Sequence, residues 1–165
     1  MKSGQEYADK IAGQLQFFID ESASLPEEQI RWKPSDQEWS IMELLCHVEE
    51  FPLYFTGELE NVLEHHAEKW GRNMQHQGRL DAVAAADDRQ VEEVINGIHN
   101  TKKTTIDRLQ NVKEHELNIE REHNIPKFGT KPMSFLVEHF LVEHLETHKN
   151  QFQRIITQYQ NRQEH

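Results

Sequence analysis

Cysteine is almost absent from this 165-residue chain. Cys46 stands alone, which excludes an intramolecular disulfide framework and a cysteine-rich zinc cage. Long apolar runs are missing as well. No stretch approaches the roughly 20 residues needed to span a bilayer, and no apolar segment follows Met1-Lys2-Ser3-Gly4. The expectation is a cytoplasmic protein with no membrane partner. Clusters of Lys or Arg are also lacking in a chain of net charge -11, which argues against a nucleic-acid partner or an anionic membrane surface. Hydrophobic residues are sparse at 36%, yet they recur at helical spacing and never give way to long polar tracts. Disorder is therefore excluded, and the length fits one domain over residues 1–165 with a core of its own.

Four amphipathic segments predict an all-α protein, a four-helix bundle. The first spans about Gln5 to Ala23, with Ala8, Ile11, Leu15, Phe18 and Ile19 on one face. Pro26 ends it, and the polar stretch around Trp32, Pro34 and Asp36 reads as a connector. The second begins at a capping box, Ser40 with Glu43, and continues through Val62 with a kink expected near Pro52. Residues 70–87 read as a long connection holding at most a short helical turn. Asp87 with Gln90 resembles another capping box, opening a third helix that runs to about Val112. A loop from about Lys113 to Lys131 leads into the fourth helix, which ends near Gln160. Within that loop, Glu116 to Glu122 alternates weakly and carries too few apolar residues to predict a strand.

The fourth helix holds the most informative residues. On a helical wheel, Val137, Phe140, Leu141, Phe152, Ile155 and Tyr159 share a face with His144 and His148 in its middle, while His139 falls on the opposite side. Two imidazoles aimed into a core need partners for their ring nitrogens, at a cost of about 1 to 3 kcal/mol each if unmet. A divalent metal would satisfy both. A catalytic metal site generally takes three protein ligands and leaves one position open. His47, at the border of the second helix's apolar stripe, is the natural third ligand. Helical phase does not single it out, and Glu43 and Glu143 are its rivals. Cys46 precedes it, but adjacent helical residues diverge by about 100°, which turns Cys46 off the apolar face as a plain structural thiol. Gln151, one turn beyond His148, is placed to orient a ligand from behind. His65, His66, His76, His99, His115 and His123 share no spacing and read as surface residues. Trp39 is expected to anchor the start of the second helix beside the site.

The run Trp39-Ser40-Ile41-Met42-Glu43-Leu44-Leu45-Cys46-His47-Val48, preceded by Trp32-Lys33-Pro34, resembles the second-helix signature of the DinB/YfiT-like superfamily of metal-dependent four-helix bundles. The run Glu143-His144-Leu145-Glu146-Thr147-His148-Lys149-Asn150-Gln151-Phe152 is similar to its fourth-helix motif. The resemblance spans essentially the whole chain. It implies crossover connections, a metal site between the second and fourth helices with His47, His144 and His148 as ligands, and a homodimer.

Three neutral imidazoles leave a divalent ion its full charge, so a thiol or water beside it is acidified; with zinc the pKa of water falls to about 7. Zinc or nickel suits such ligands best, and iron or manganese is compatible. The chemistry expected is that of a metal-dependent transferase acting on a small-molecule substrate. Specifically, a low-molecular-weight thiol is presented to an electrophile in S-transfer or isomerisation, as in some members of the resembled family. The alternatives are a metal-dependent hydrolase and a non-catalytic metal-binding or stress-response protein.

Overall fold

The computed structural model describes residues 2–162. Four long helical rods carry the core. They are α1 (Gly4–Ala23), α3 (Ile41–His65), α5 (Val91–Leu109) and a C-terminal rod made of α6 (Met133–Val137), a π-helical stretch over Glu138–Glu143, and α7 (His144–Asn161). Two short helices, α2 (Glu27–Arg31) and α4 (Gln77–Ala84), lie in the connections. The α1 rod packs against α5 and α7, and α3 packs against the same two. Consecutive rods α1 and α3 therefore face each other diagonally, as do α5 and α7, and the links between them cross the end of the bundle. This is the crossover topology that the resemblance implied.

Local sequence explains where the rods begin. At Ser40 the expected capping box is present in both directions: the Glu43 amide donates to Ser40 Oγ at 3.1 Å, and the Ser40 amide donates to Glu43 Oε1 at 3.0 Å. Ser3 and Glu6 form a second box at the start of α1. Asp87 and Gln90 do not form a third. Asp87 sits in a 3-10 turn, Ala85–Asp88, and α5 starts at Val91 with no side-chain cap. Pro52 lies inside α3, which continues past it to His65. Thr56 Oγ1 donates to the Pro52 carbonyl at 2.7 Å.

The connections hold more structure than periodicity predicts. The loop after α3 supplies β1 (Lys69–Trp70), and the loop after α5 supplies β2 (Glu120–His123) and β3 (Thr130–Pro132). β1 pairs in parallel with β2, Trp70 opposite His123, and β2 pairs antiparallel with β3, Arg121 opposite Lys131. Two residues of β1 cannot show a period-2 pattern, so this sheet exists through tertiary contact alone. Its inner face is apolar: Trp70 is fully buried and its Nε1 donates to the Arg121 carbonyl at 3.3 Å. His123, expected at the surface, is 1% exposed. Its ring meets Trp70 at 4.5 Å and Phe140 at 5.3 Å, and Nδ1 accepts the Ile125 amide at 2.8 Å. Gly71, which follows Trp70, has φ +93 and lies against the His123 ring, where a Cβ would collide.

The core is one cluster in which every rod takes part. α3 is its centre: from Ile41 to Val48 only Glu43 escapes burial. Cys46 is consequently inside the core and not turned off it, because α3 has neighbours on more than one side. Burial pushes its thiol up to about 11, so it stays protonated and unreactive near neutral pH. Replacing Ser40 by Ala is expected to lower the unfolding free energy by about 1 kcal/mol, measured by urea denaturation. No change would mean that the box does not hold the start of α3.

Candidate metal centre

His47 is carried by α3 and His144 and His148 by α7, so the three meet at one seam between adjacent rods. One ring nitrogen of each lies within 4.8 Å of the others. Nε2 of His47 is 3.3 Å from Nε2 of His144. The remaining nitrogens face outward: His144 Nδ1 donates to the Phe140 carbonyl at 3.2 Å, and His148 Nδ1 donates to Gln151 Oε1 at 2.8 Å. A carbonyl oxygen can only accept, so His144 carries its proton on Nδ1 and leaves an Nε2 lone pair directed into the seam. Gln151 does the same for His148, the orienting role its spacing suggested. His47 Nδ1 is buried without a partner.

Aromatic rings fix the imidazoles in place. Phe51 stacks on His144 at 3.9 Å and meets His47 at 4.9 Å. Trp39 lies 5.3 Å from His47 and stacks along His148 at 6.2 Å, so it lines the site as well as anchoring α3. All three histidines are held below their usual basicity. Burial is the leading cause for each; neighbouring imidazoles, Arg79 and Arg72 add to it at His47 and His144, and Arg79 alone adds to it at His148. His144 falls to about 3. At neutral pH the cluster is therefore uncharged, the protonation state in which imidazole binds metals.

The donor set fits a metal ion. Two ligand nitrogens about 2.0 to 2.1 Å from a tetrahedral ion stand about 3.3 to 3.4 Å apart, and the His47–His144 separation matches this. The two other candidates do not join the cluster. Glu43 is engaged in its capping box and with Lys33, and Glu143 pairs with His139 at 2.9 Å on the outer side of the rod.

The π-helical stretch just before His144 was not foreseen. Its extra residue per turn shifts the buried face, so that Leu136 and Leu145 are fully buried while Phe140 moves to the edge of the site. Groups on α1 grip this stretch: Tyr7 donates to Glu138, and Gln14 Nε2 donates to the Val142 carbonyl at 2.9 Å.

Beside the histidines lies a cavity of about 380 Å3. Phe55, Phe128 and Phe140 form apolar walls, and Arg72, Arg79 and Lys127 add positive charge. These residues come from α3, the loop after β1, α4, the β2–β3 loop and the C-terminal rod. No linear motif joins them, so no sequence pattern marks the three cations as a group.

The family model of the DinB superfamily matches residues 20–152, a span that includes all three histidines. The chain belongs to the DinB superfamily. Among solved structures it is similar to YfiT from Bacillus subtilis, described as a probable metal-dependent hydrolase with an unusual four-helix bundle topology, with a TM-score of 0.73 over 92% of this chain and 85% of that one. Sequence identity is 8%, so this likeness speaks for the shared DinB-type fold. No curated protein matches the chain. Among the described helices of this DinB-superfamily member, none is long and apolar enough to cross a membrane.

The depressed histidines set a pH dependence for the metal-free protein. Unfolded, each takes up a proton near pH 6.5; folded, each stays neutral well below that. The unfolded chain then binds more protons, so stability is full above about pH 6.5 and falls as pH drops toward the folded values. Urea denaturation of metal-free protein at pH 7.5 and 5.0 should show this loss, and it should shrink in His144→Gln. Equal losses in both proteins would exclude the neutral buried state of His144.

Proposed function

We propose that this DinB-superfamily protein is a metal-dependent enzyme whose divalent ion is held by His47, His144 and His148. The observation that carries this reading is the pair of inward nitrogens at 3.3 Å, with the outer nitrogens of His144 and His148 tied to Phe140 and Gln151. A purely structural metal site would be closed by a fourth protein ligand, whereas among the described residues the cluster consists of three histidines next to a cavity. Zinc or nickel is the ion best suited to these ligands, with iron or manganese compatible.

When bound, the ion supplies a Lewis acid that lowers the pKa of a thiol or water placed beside it. The protein does the rest. Phe55, Phe128 and Phe140 keep bulk water from the reacting group, Gln151 holds the His148 ring, and the arginines 72 and 79 favour an anionic nucleophile. None of the described residues lining the cavity is a carboxylate or a cysteine that would act as general base or protein nucleophile. That favours a nucleophile already ionised when it reacts, a low-molecular-weight thiol, in transfer to or isomerisation of a small electrophile. Hydrolysis is the second reading, supported by the same acidification acting on water, which also needs no separate base. A homodimer accompanies this reading on the strength of the family resemblance.

Untagged protein purified without added metal should contain about one divalent ion per chain by mass spectrometry, lost in His148→Ala while the helical circular dichroism is retained. No ion in wild type, even after reconstitution, would remove the metal reading. Gln151→Leu should weaken metal affinity about 10- to 100-fold, read by competition with a chelator. For the reaction, turnover of an electrophile that is indifferent to added thiols would exclude thiol transfer and leave hydrolysis.

A further inference from the structure

The cations around the cavity are out of keeping with the rest of the chain. Acidic residues outnumber basic ones by 29 to 18, yet Arg72, Arg79 and Lys127 line this one cavity with no described carboxylate among them. Arg72 is explained by structure. It is buried, pairs with Glu50 through both terminal nitrogens, and lies 4.1 Å over the Tyr54 ring. Tyr54 donates to Glu58 at 2.8 Å, and Glu58 in turn accepts the Gly71 amide at 3.0 Å, which pins this loop to α3.

Arg79 and Lys127 have no such explanation. Half-buried Arg79 sits 5.7 Å over Trp39, and one of its nitrogens donates to the Met74 carbonyl at 3.1 Å. The Lys127 ammonium lies 5.0 Å from the Phe128 ring. Among the described residues neither makes an ion pair, although Arg31, Arg72, Arg89 and Arg108 all do. Burial and Arg72 together lower the pKa of Arg79, so its charge is held at a cost that an anion would offset.

We propose that this cavity takes a small ligand with an apolar body and an oxyanionic head group, a carboxylate or phosphate, gripped by Arg79 and Lys127 while its body lies along Phe55, Phe128 and Phe140. An Arg fork on Trp39 presents parallel donors to two oxygens of such a group. A volume of about 380 Å3 is near the lower end for ligand pockets, about 300 to 1,000 Å3, so the ligand is small. The ligand's role as a substrate rests on the enzyme reading above; its recognition by Arg79 does not need the metal.

The test is isothermal titration calorimetry at low ionic strength with succinate, inorganic phosphate and the neutral succinamide, on zinc-loaded and on chelator-treated full-length protein. Wild type should bind at least one of the two anions and not the amide, and which anion binds assigns the head group. Arg79→Gln should weaken binding tenfold or more and Lys127→Gln about threefold, with Arg79→Lys recovering part of the loss and zinc content unchanged in all. No binding of either anion to wild type overturns the proposal. So does binding to zinc-loaded protein that neither variant alters, since the ion itself would then be the anion site. Anion binding that depends on Arg79 in a protein that takes up no zinc would sink the metal reading and leave this one standing.

Discussion

Three neutral imidazoles crowded at the seam between α3 and α7 are the constraint on which the surrounding structure depends. Such a cluster is costly to hold: each ring brings a donor and an acceptor into a largely apolar seam, where His47 is buried and His144 and His148 are half-buried. The compensation is visible residue by residue. Phe140 offers its carbonyl to His144, Gln151 offers its amide oxygen to His148, and Phe51 and Trp39 confine the rings from the sides. The inner nitrogens are left directed at one another, an arrangement that makes poor sense for a dry core and good sense for a shared cation.

The crossover topology is what makes this seam available. In a bundle whose consecutive rods were all neighbours, α3 would also have adjacent partners, but the connections would lie flat across its ends. Here the α3–α5 link carries β1 and α4, and the diagonal α5–α7 link carries β2, β3 and the loop between them, over one side of the α3–α7 seam. They supply the cations and Phe128, while the rods supply the ligands together with Phe55 and Phe140. Precision at the histidines comes from rigid helices, while the cations sit on connecting segments, which are generally more variable.

The π-helical stretch links these two levels. It lies immediately before His144, is gripped by Tyr7 and Gln14 from α1, and turns Phe140 toward the cavity, where this one residue serves both as wall and as the acceptor that sets the His144 tautomer. The widened stretch thus adjoins the site directly, in keeping with the frequency of such turns at functional positions.

Read by itself, the sequence determined the four rods, the capping box at Ser40, the inward placement of His144 and His148, and the position of Gln151 beside His148, because each is a matter of helical spacing over a few residues. Spacing made His47 a candidate third ligand, and only the resemblance set it above its rivals: α3 is buried on more than one side, and no wheel can choose a face on such a helix. The same central burial is why Cys46 lies in the core despite its phase. Tertiary structure alone decided the three-stranded sheet, the buried His123 and the gathering of Arg72, Arg79 and Lys127. Strands of two to four residues carry too little pattern to read, and a field made by side chains from three separate segments exists only once the chain has brought them together.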